Sequence, residues 1–328
     1  MRLQAVFAAC AEGASHSQTG RRFARAVDVI EGGPLGEADA SLFVSRLAGA
    51  EGFLSCGQEP PPPRAVAGKD HDKKALLLMD IGANMGRTSE SLLDMCRGLS
   101  ASCLVWAFEP SLLTHAKLEQ RGASEGWAAR GWRLQRKALS DPASVGVRPF
   151  FSSGEAGDEQ ASLGAAASYS NNSETVVVTT VDAVMAERAA AADAPEAAFE
   201  PFLLKIDAEG FDASVLLGAA ATIKARTFRF VLFEYNRKWI LSQTSASLAQ
   251  SVRDMGTAGY NCFLMTPEAL LPLWEDYWVP ELEFWRWSNV VCIRHAEAEC
   301  ARSLAAAFSA RAAITGGPHA DDVERCLH

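Results

Sequence analysis

Leu76-Leu77-Leu78-Met79-Asp80-Ile81-Gly82-Ala83-Asn84-Met85-Gly86-Arg87-Thr88-Ser89 is the stretch whose reading decides the fold. The apolar run before Asp80 reads as a strand covered on both faces. Gly82 and Gly86 let the backbone turn sharply and approach a ligand. Thr88 and Ser89 are placed to cap a helix whose first amides face that ligand. On its own the stretch is equally an ordinary strand-to-helix turn, so the rest of the chain has to decide.

Composition narrows the choice. A chain of 328 residues is long enough for one large core or two modest ones. The formal net charge of -9, with no Lys/Arg cluster longer than Arg21-Arg22, argues against a large nucleic-acid footprint and for a small or neutral substrate. The eight cysteines form no CxxC pair and no zinc-ligand spacing. Several lie in apolar runs, where they read as small buried residues, which implies a reducing compartment. No run reaches the ~18–20 apolar residues of a membrane helix.

Residues 1–74 read as an N-terminal arm with a Pro-rich linker. Met1 to Arg25 carries four arginines against Glu12, which fits a transit peptide, a poor secretory signal or a solvated arm. The expected location is cytoplasmic, or organellar if residues 1–25 are a transit peptide. Ala40 to Leu47 is expected as a short helix, and Pro60 to Pro63 as an extended spacer. The compact domain is expected over 75–296, followed by an alanine-rich helix to about Ala313 and a tail to residue 328.

Within that domain, strand and helix patterns alternate, which predicts a parallel sheet with helices on both faces. Strands are expected at 76–81, Cys103 to Phe108, Trp132 to Leu139, Phe202 to Ile206 and Arg229 to Phe233. Two late strands, Cys262 to Met265 and Asn289 to Ile293, flank a Trp-rich segment and would pair as an antiparallel edge. Segment 142–174 reads as an insertion with a short strand near Val147 to Phe151, placed as a lid over the strand ends. Thr175 to Val181 is a further strand candidate.

The strand ends share a polar signature: Asp80, Glu109, Asp141, Asp207 with Glu209, and Glu234. Helix caps favour Asp, but Glu is a poor cap, so the regularity exceeds what capping requires. In open parallel sheets, ligands sit beyond the carboxyl ends of the strands. A carboxylate after the second strand suits a ribose diol, which leaves NAD-type and S-adenosylmethionine-type cofactors. Gly82 to Gly86 is a GxxxG spacing without the middle glycine that a pyrophosphate cradle uses, so a cofactor without a pyrophosphate is favoured.

At this point the chain resembles the FkbM-type S-adenosylmethionine-dependent methyltransferases. The resemblance rests on Asp80 to Gly86, Phe108-Glu109-Pro110-Ser111, Ala138-Leu139-Ser140-Asp141 and Thr180-Val181-Asp182. It continues through Leu204-Lys205-Ile206-Asp207-Ala208-Glu209-Gly210-Phe211 and Val215 to Ala219, and closes on Val231-Leu232-Phe233-Glu234. Ala208 stands where the family has a branched residue. The resemblance implies a Rossmann-like class I methyltransferase fold, with a mostly parallel seven-stranded sheet and an antiparallel edge strand. It further implies S-adenosyl-L-methionine as cofactor: Gly82, Asn84 and Gly86 against its methionine end, Asp80 fixing its amino group, Glu109 with Pro110 at the ribose, and Ser140 with Asp141 at the adenine.

Methyl transfer is an in-line displacement, and an alcohol nucleophile also needs its proton removed. Asp207, Glu209 and Glu234 are the candidate bases, and Lys205 is placed to pair with an acid beside them. No metal site is claimed. The expected substrate is a hydroxyl on a small molecule or sugar. The alternatives are an NAD-dependent oxidoreductase and a binding protein that has lost turnover. The Trp-rich segment is open between a substrate pocket, a packing cluster and a dimer contact.

Overall fold

The computed structural model describes residues 75–297, apart from 165–171, 192, 243–245, 266–269, 275–277, 279 and 284–286. The expectations for the arm, the Pro-rich linker and the C-terminal helix lie outside the described residues.

The opening stretch forms β1, Ala75–Ile81, in which every residue after Ala75 is buried. It lies in a sheet with β2 (Ser102–Phe108), β3 (Trp132–Gln135), β7 (Glu200–Ile206), β8 (Phe230–Tyr235), β9 (Tyr260–Met265), β10 (Leu270–Pro272) and β11 (Ser288–Arg294). The strand order is β10-β9-β11-β8-β7-β1-β2-β3. Strands β3, β2, β1, β7 and β8 are parallel, and β11 runs antiparallel between β8 and β9. The order reverses between β1 and β7, so the carboxyl ends of these two strands define the place where a ligand sits in such sheets.

The sheet has eight strands rather than seven. The additional one, β10, pairs with β9 over three residues and ends in Pro272, too short for an alternating pattern to reveal it. The run from Trp132 to Leu139 is two strands, not one: β3 stays in the main sheet, and β4 (Ala138–Leu139) leaves it. β4 pairs with β6 (Ser173–Thr179), which also pairs with β5 (Gly146–Phe151), giving a small second sheet.

Helices cover both faces. On one side, α1 (Arg87–Gly98) and α2 (Leu112–Ser124) pack over Leu76, Leu78, Val105 and Phe202. On the other, α3 (Val181–Ala190), α4 (Asp212–Gly218), α5 (Ala220–Lys224) and α6 (Leu248–Ala258) enclose Met79, Ile81, Leu204 and Phe233. Ser111 and Thr180 cap α2 and α3 with their hydroxyls. Thr88 and Ser89 do not cap α1: its N-cap is Gly86 at φ 82, and Ser89 turns inward to Asp80.

The cysteines depart from expectation. Cys96 is bonded to Cys103, and Cys262 to Cys292. The second pair follows from register, because Cys262 lies directly opposite Cys292 on β9 and β11. These four are therefore not free thiols, and the reading of a reducing compartment loses its basis, since such bonds persist in oxidising surroundings. Among the described residues, no helix is long and apolar enough to cross a membrane.

Candidate active site

A narrow cleft opens where β1, β2 and β7 end. Gly82, Asn84, Glu109, Pro110 and Asp207 line it together with Glu209 and Phe211. The first loop is held close to its neighbours by backbone bonds: Gly82 and Ala83 both donate to the Phe108 carbonyl at 3.0 Å, and Asp207 donates to Ile81 at 3.1 Å. A Cβ at Gly82 would stand 1.8 Å from the Asp207 carbonyl oxygen, and one at Gly86 2.6 Å from Leu118. Both glycines therefore serve close packing within the protein. Behind the loop, Arg121 donates to the Met85 carbonyl at 2.7 Å and stacks over Trp127.

Asp80 and Lys205 lie beneath this loop rather than in the cleft. Asp80 is fully buried and accepts from Ser89 at 2.6 Å, and its other oxygen meets the Lys205 ammonium at 2.9 Å. Lys205 also donates to the Gly82 carbonyl at 3.1 Å and lies 3.5 Å from Asp207. Burial lowers the lysine's affinity for its proton, but Asp80 and Asp207 outweigh that and push its pKa above the usual range. Lys205 thus stays charged and ties three pieces of backbone together. Asp80 and Lys205, expected as a contact to an amino group and as a catalytic group, are not among the residues that line the cleft.

Glu109 is buried, with its oxygens accepting from the backbone of Asn84 and of Ser111, each at 2.9 Å. Desolvation dominates over these two bonds and raises its pKa to about 7. Each oxygen keeps a lone pair for a further donor. Asn84 is left-handed at φ 46, and its side-chain Oδ1 is buried without a hydrogen-bond partner. Ser140 and Asp141 stand apart from this cleft. Asp141 accepts from Ala143 and Ser144 and caps the turn at 142–144, and although burial opposes it, these bonds hold its pKa below the usual value.

Beyond Asp207 lies an acid cluster. Glu234 is buried within reach of the Asp207 charge and accepts from Asn236. Burial, then the charges of Asp207, Asp212 and Glu209, raise the Glu234 pKa well above normal. Glu209 is left-handed at φ 52 and pairs with Lys238. Burial and Asp207 raise its pKa to about 8, against the opposing effect of Lys238. Asp207 is the exposed member, its side chain 36% accessible, and it lines the cleft. Among the described residues, no group of three or more potential ligands is arranged to hold a metal ion.

Asp212 was not singled out in the sequence. It is fully buried and accepts from the backbone of Ala208 and Gly210, each at 3.2 Å, folding the turn that aims Asp207 and Glu209. Its signal was its place four residues after Ala208 in the first turn of a helix. The insertion does cover the strand ends: Gly157 donates to Thr114 at 3.1 Å, and Lys238 donates to the Glu159 carbonyl at 3.1 Å. Closed in this way, the cleft encloses about 70 Å³. Small-ligand sites usually hold ~300–1,000 Å³, so the cleft as it stands is smaller than such a site.

The Trp-rich segment does not line the cleft. Trp274 packs edge-on against Phe263 at 5.1 Å, Trp278 packs on the core, Trp287 is exposed, and Trp285 lies outside the described residues.

A doubly wound sheet with an acidic cleft at its reversal point is the arrangement in which such folds bind nucleotide-type ligands. The methyltransferase FkbM domain model matches residues 80–260, and the chain belongs to that family. Its cofactor is S-adenosyl-L-methionine, and the NAD alternative is not favoured. Among solved structures, the chain is similar to the FkbM methyltransferase from Methylobacillus flagellatus KT, at 13% identity and a TM-score of 0.39, covering 69% of this chain and 45% of that one. It is also similar to a precorrin-6y C5,15-methyltransferase from Geobacter metallireducens GS-15, at 9% identity and a TM-score of 0.34, covering 78% and 86% of the two chains. No curated protein matches.

The residues present fit this cofactor. Glu109 offers acceptors to a diol, the orphaned Asn84 Oδ1 offers one to an ammonium, and the surplus of carboxylates suits a sulfonium cation.

Proposed function

We propose that the protein methylates a hydroxyl group on a small molecule or sugar. The observation that carries this is the Asp207 carboxylate, which lines the cleft, is partly exposed there and lies 3.5 Å from the buried Lys205 ammonium. When bound, S-adenosyl-L-methionine supplies a methyl group on a positively charged sulfur. Asp207 accepts the proton of the acceptor hydroxyl as its oxygen becomes the nucleophile. Glu234 lies buried nearby, its carboxyl pushed towards the neutral form by burial first and then by the charge of Asp207. Lys238 holds Glu209, and with it the turn that aims Asp207.

Glu109, together with Asn84 and Pro110, orients the cofactor, and segment 152–164 covers the edge of the cleft. Much of the acceleration expected of such a site comes from this positioning, worth up to ~7–11 kcal/mol. The test is a screen of hydroxylated metabolites for release of S-adenosylhomocysteine. Turnover by wild type that collapses in Asp207→Asn supports the reading. Turnover only on acceptors that lack a hydroxyl would overturn it.

A further inference from the structure

Beside the cleft lies a second, far larger cavity. It is a groove of about 1370 Å³ between the small sheet, helices α4 and α5, and helix α6. Its floor reaches core residues, with Ala213, Leu216, Ile223 and Met255 all buried yet lining it. Leu217 stands in its wall on a short helix, 49% exposed.

Groove and cleft share two residues, Leu163 and Phe211. The Phe211 ring lies close against the backbone at Gly164, where a Cβ would stand 3.1 Å from it. Leu163 with Gly164 therefore forms, with Phe211, a partition between the two spaces. One side of that partition belongs to segment 152–164, and across it the groove adjoins the cleft that Asp207 lines.

We infer that the groove holds the apolar body of the methyl acceptor, a small amphipathic molecule whose hydroxylated end passes Leu163 and Phe211 to reach Asp207. This rests on the proposed hydroxyl methylation. Two features select this occupant. The cleft, at about 70 Å³ when closed, has no room for an acceptor body, whereas the adjoining groove does. The charges lining the groove balance, Arg148 and Lys224 against Asp141 and Asp254, so nothing favours a nucleic acid or an acidic peptide. What remains is apolar surface, which rewards a hydrocarbon or ring body by about 0.8 kcal/mol per buried methylene.

The experiment uses the full chain loaded with S-adenosylhomocysteine and follows binding of methyl, hexyl, heptyl and octyl glucosides by calorimetry, each below its micelle concentration. The inference expects affinity to rise up to roughly fourfold per added methylene. Leu217→Glu, a change at an exposed position, should remove that dependence while leaving S-adenosylhomocysteine binding as in wild type. Ala220→Trp, which fills the groove from its rim, should weaken octyl glucoside at least tenfold. Equal affinity for methyl and octyl glucoside, or unaltered octyl glucoside binding in both variants, would overturn the groove. Failure of the hydroxyl reading registers separately: methylation of a thiol or amine acceptor, with chain-length dependence intact, removes O-methylation and keeps the groove.

Discussion

Two carboxylates at adjacent strand ends, Asp80 on β1 and Asp207 after β7, look alike in sequence and differ in every physical respect. Asp80 is wholly buried, with a hydroxyl on one oxygen and an ammonium on the other. Asp207 is a third exposed and lines the cleft. A buried charge that is fully paired has nothing left to offer a substrate, whereas an acid at the rim with a free oxygen does. In the proposed mechanism support and chemistry are thus separated over the width of one strand, and Lys205 lies between the two carboxylates, 2.9 Å from Asp80 and 3.5 Å from Asp207.

The comparison breaks most visibly at Asp207. Asp207→Asn should lower kcat by a hundred- to ten-thousandfold, the usual worth of a general base, with little change in the melting temperature. The complementary change, Lys205→Ala, should leave Asp80 as an unpaired buried charge and cost about 3–5 kcal/mol in chemical denaturation. Combining Lys205→Met with Asp80→Asn should recover much of that loss, because removing both charges is far cheaper than removing one.

A smaller effect separates the two regions by pH. Glu109, Asp212 and Glu209 have folded-state pKa values raised to about 7, 7 and 8 from 4.5, 3.8 and 4.5, in each case by burial first. Raised carboxyl values mean that the folded protein binds more protons than the unfolded chain in this window. The stability of the cofactor-free protein should therefore fall as pH climbs from about 4 to 8, and Glu109→Gln should flatten the part of that slope below about pH 7. Thermal unfolding across this range reads the sign directly. The smallest effect expected is that of Lys238→Ala, whose partly exposed pair with Glu209 is worth ~1 kcal/mol or less in stability. Its readout is faster proteolysis within 152–164, where the bond to the Glu159 carbonyl is lost.

Much of this arrangement could be read from the chain. Apolar runs ending in acids marked β1, β2, β7 and β8, and the missing middle glycine separated one class of cofactor from another. The distinction between Asp80 and Asp207 could not be read, because it depends on Lys205, which lies 125 positions from Asp80 and meets it only through the β1–β7 register. Asp141 illustrates the same limit: an acid after a strand, it spends its oxygens on its own turn. The split of Trp132 to Leu139 into two sheets left no trace in its hydrophobic pattern. The disulfide between Cys262 and Cys292 likewise needed the order of strands in space, not the spacing of cysteines in the chain.

The central claim is that the cleft beyond β1 and β2 holds the methyl donor through Glu109. Titration calorimetry of S-adenosylhomocysteine into wild type and Glu109→Ala measures this most directly. Loss of a buried acceptor for a diol should weaken binding by roughly ten- to a hundredfold while the variant remains folded. No binding by wild type, or equal binding by both proteins, would contradict the account.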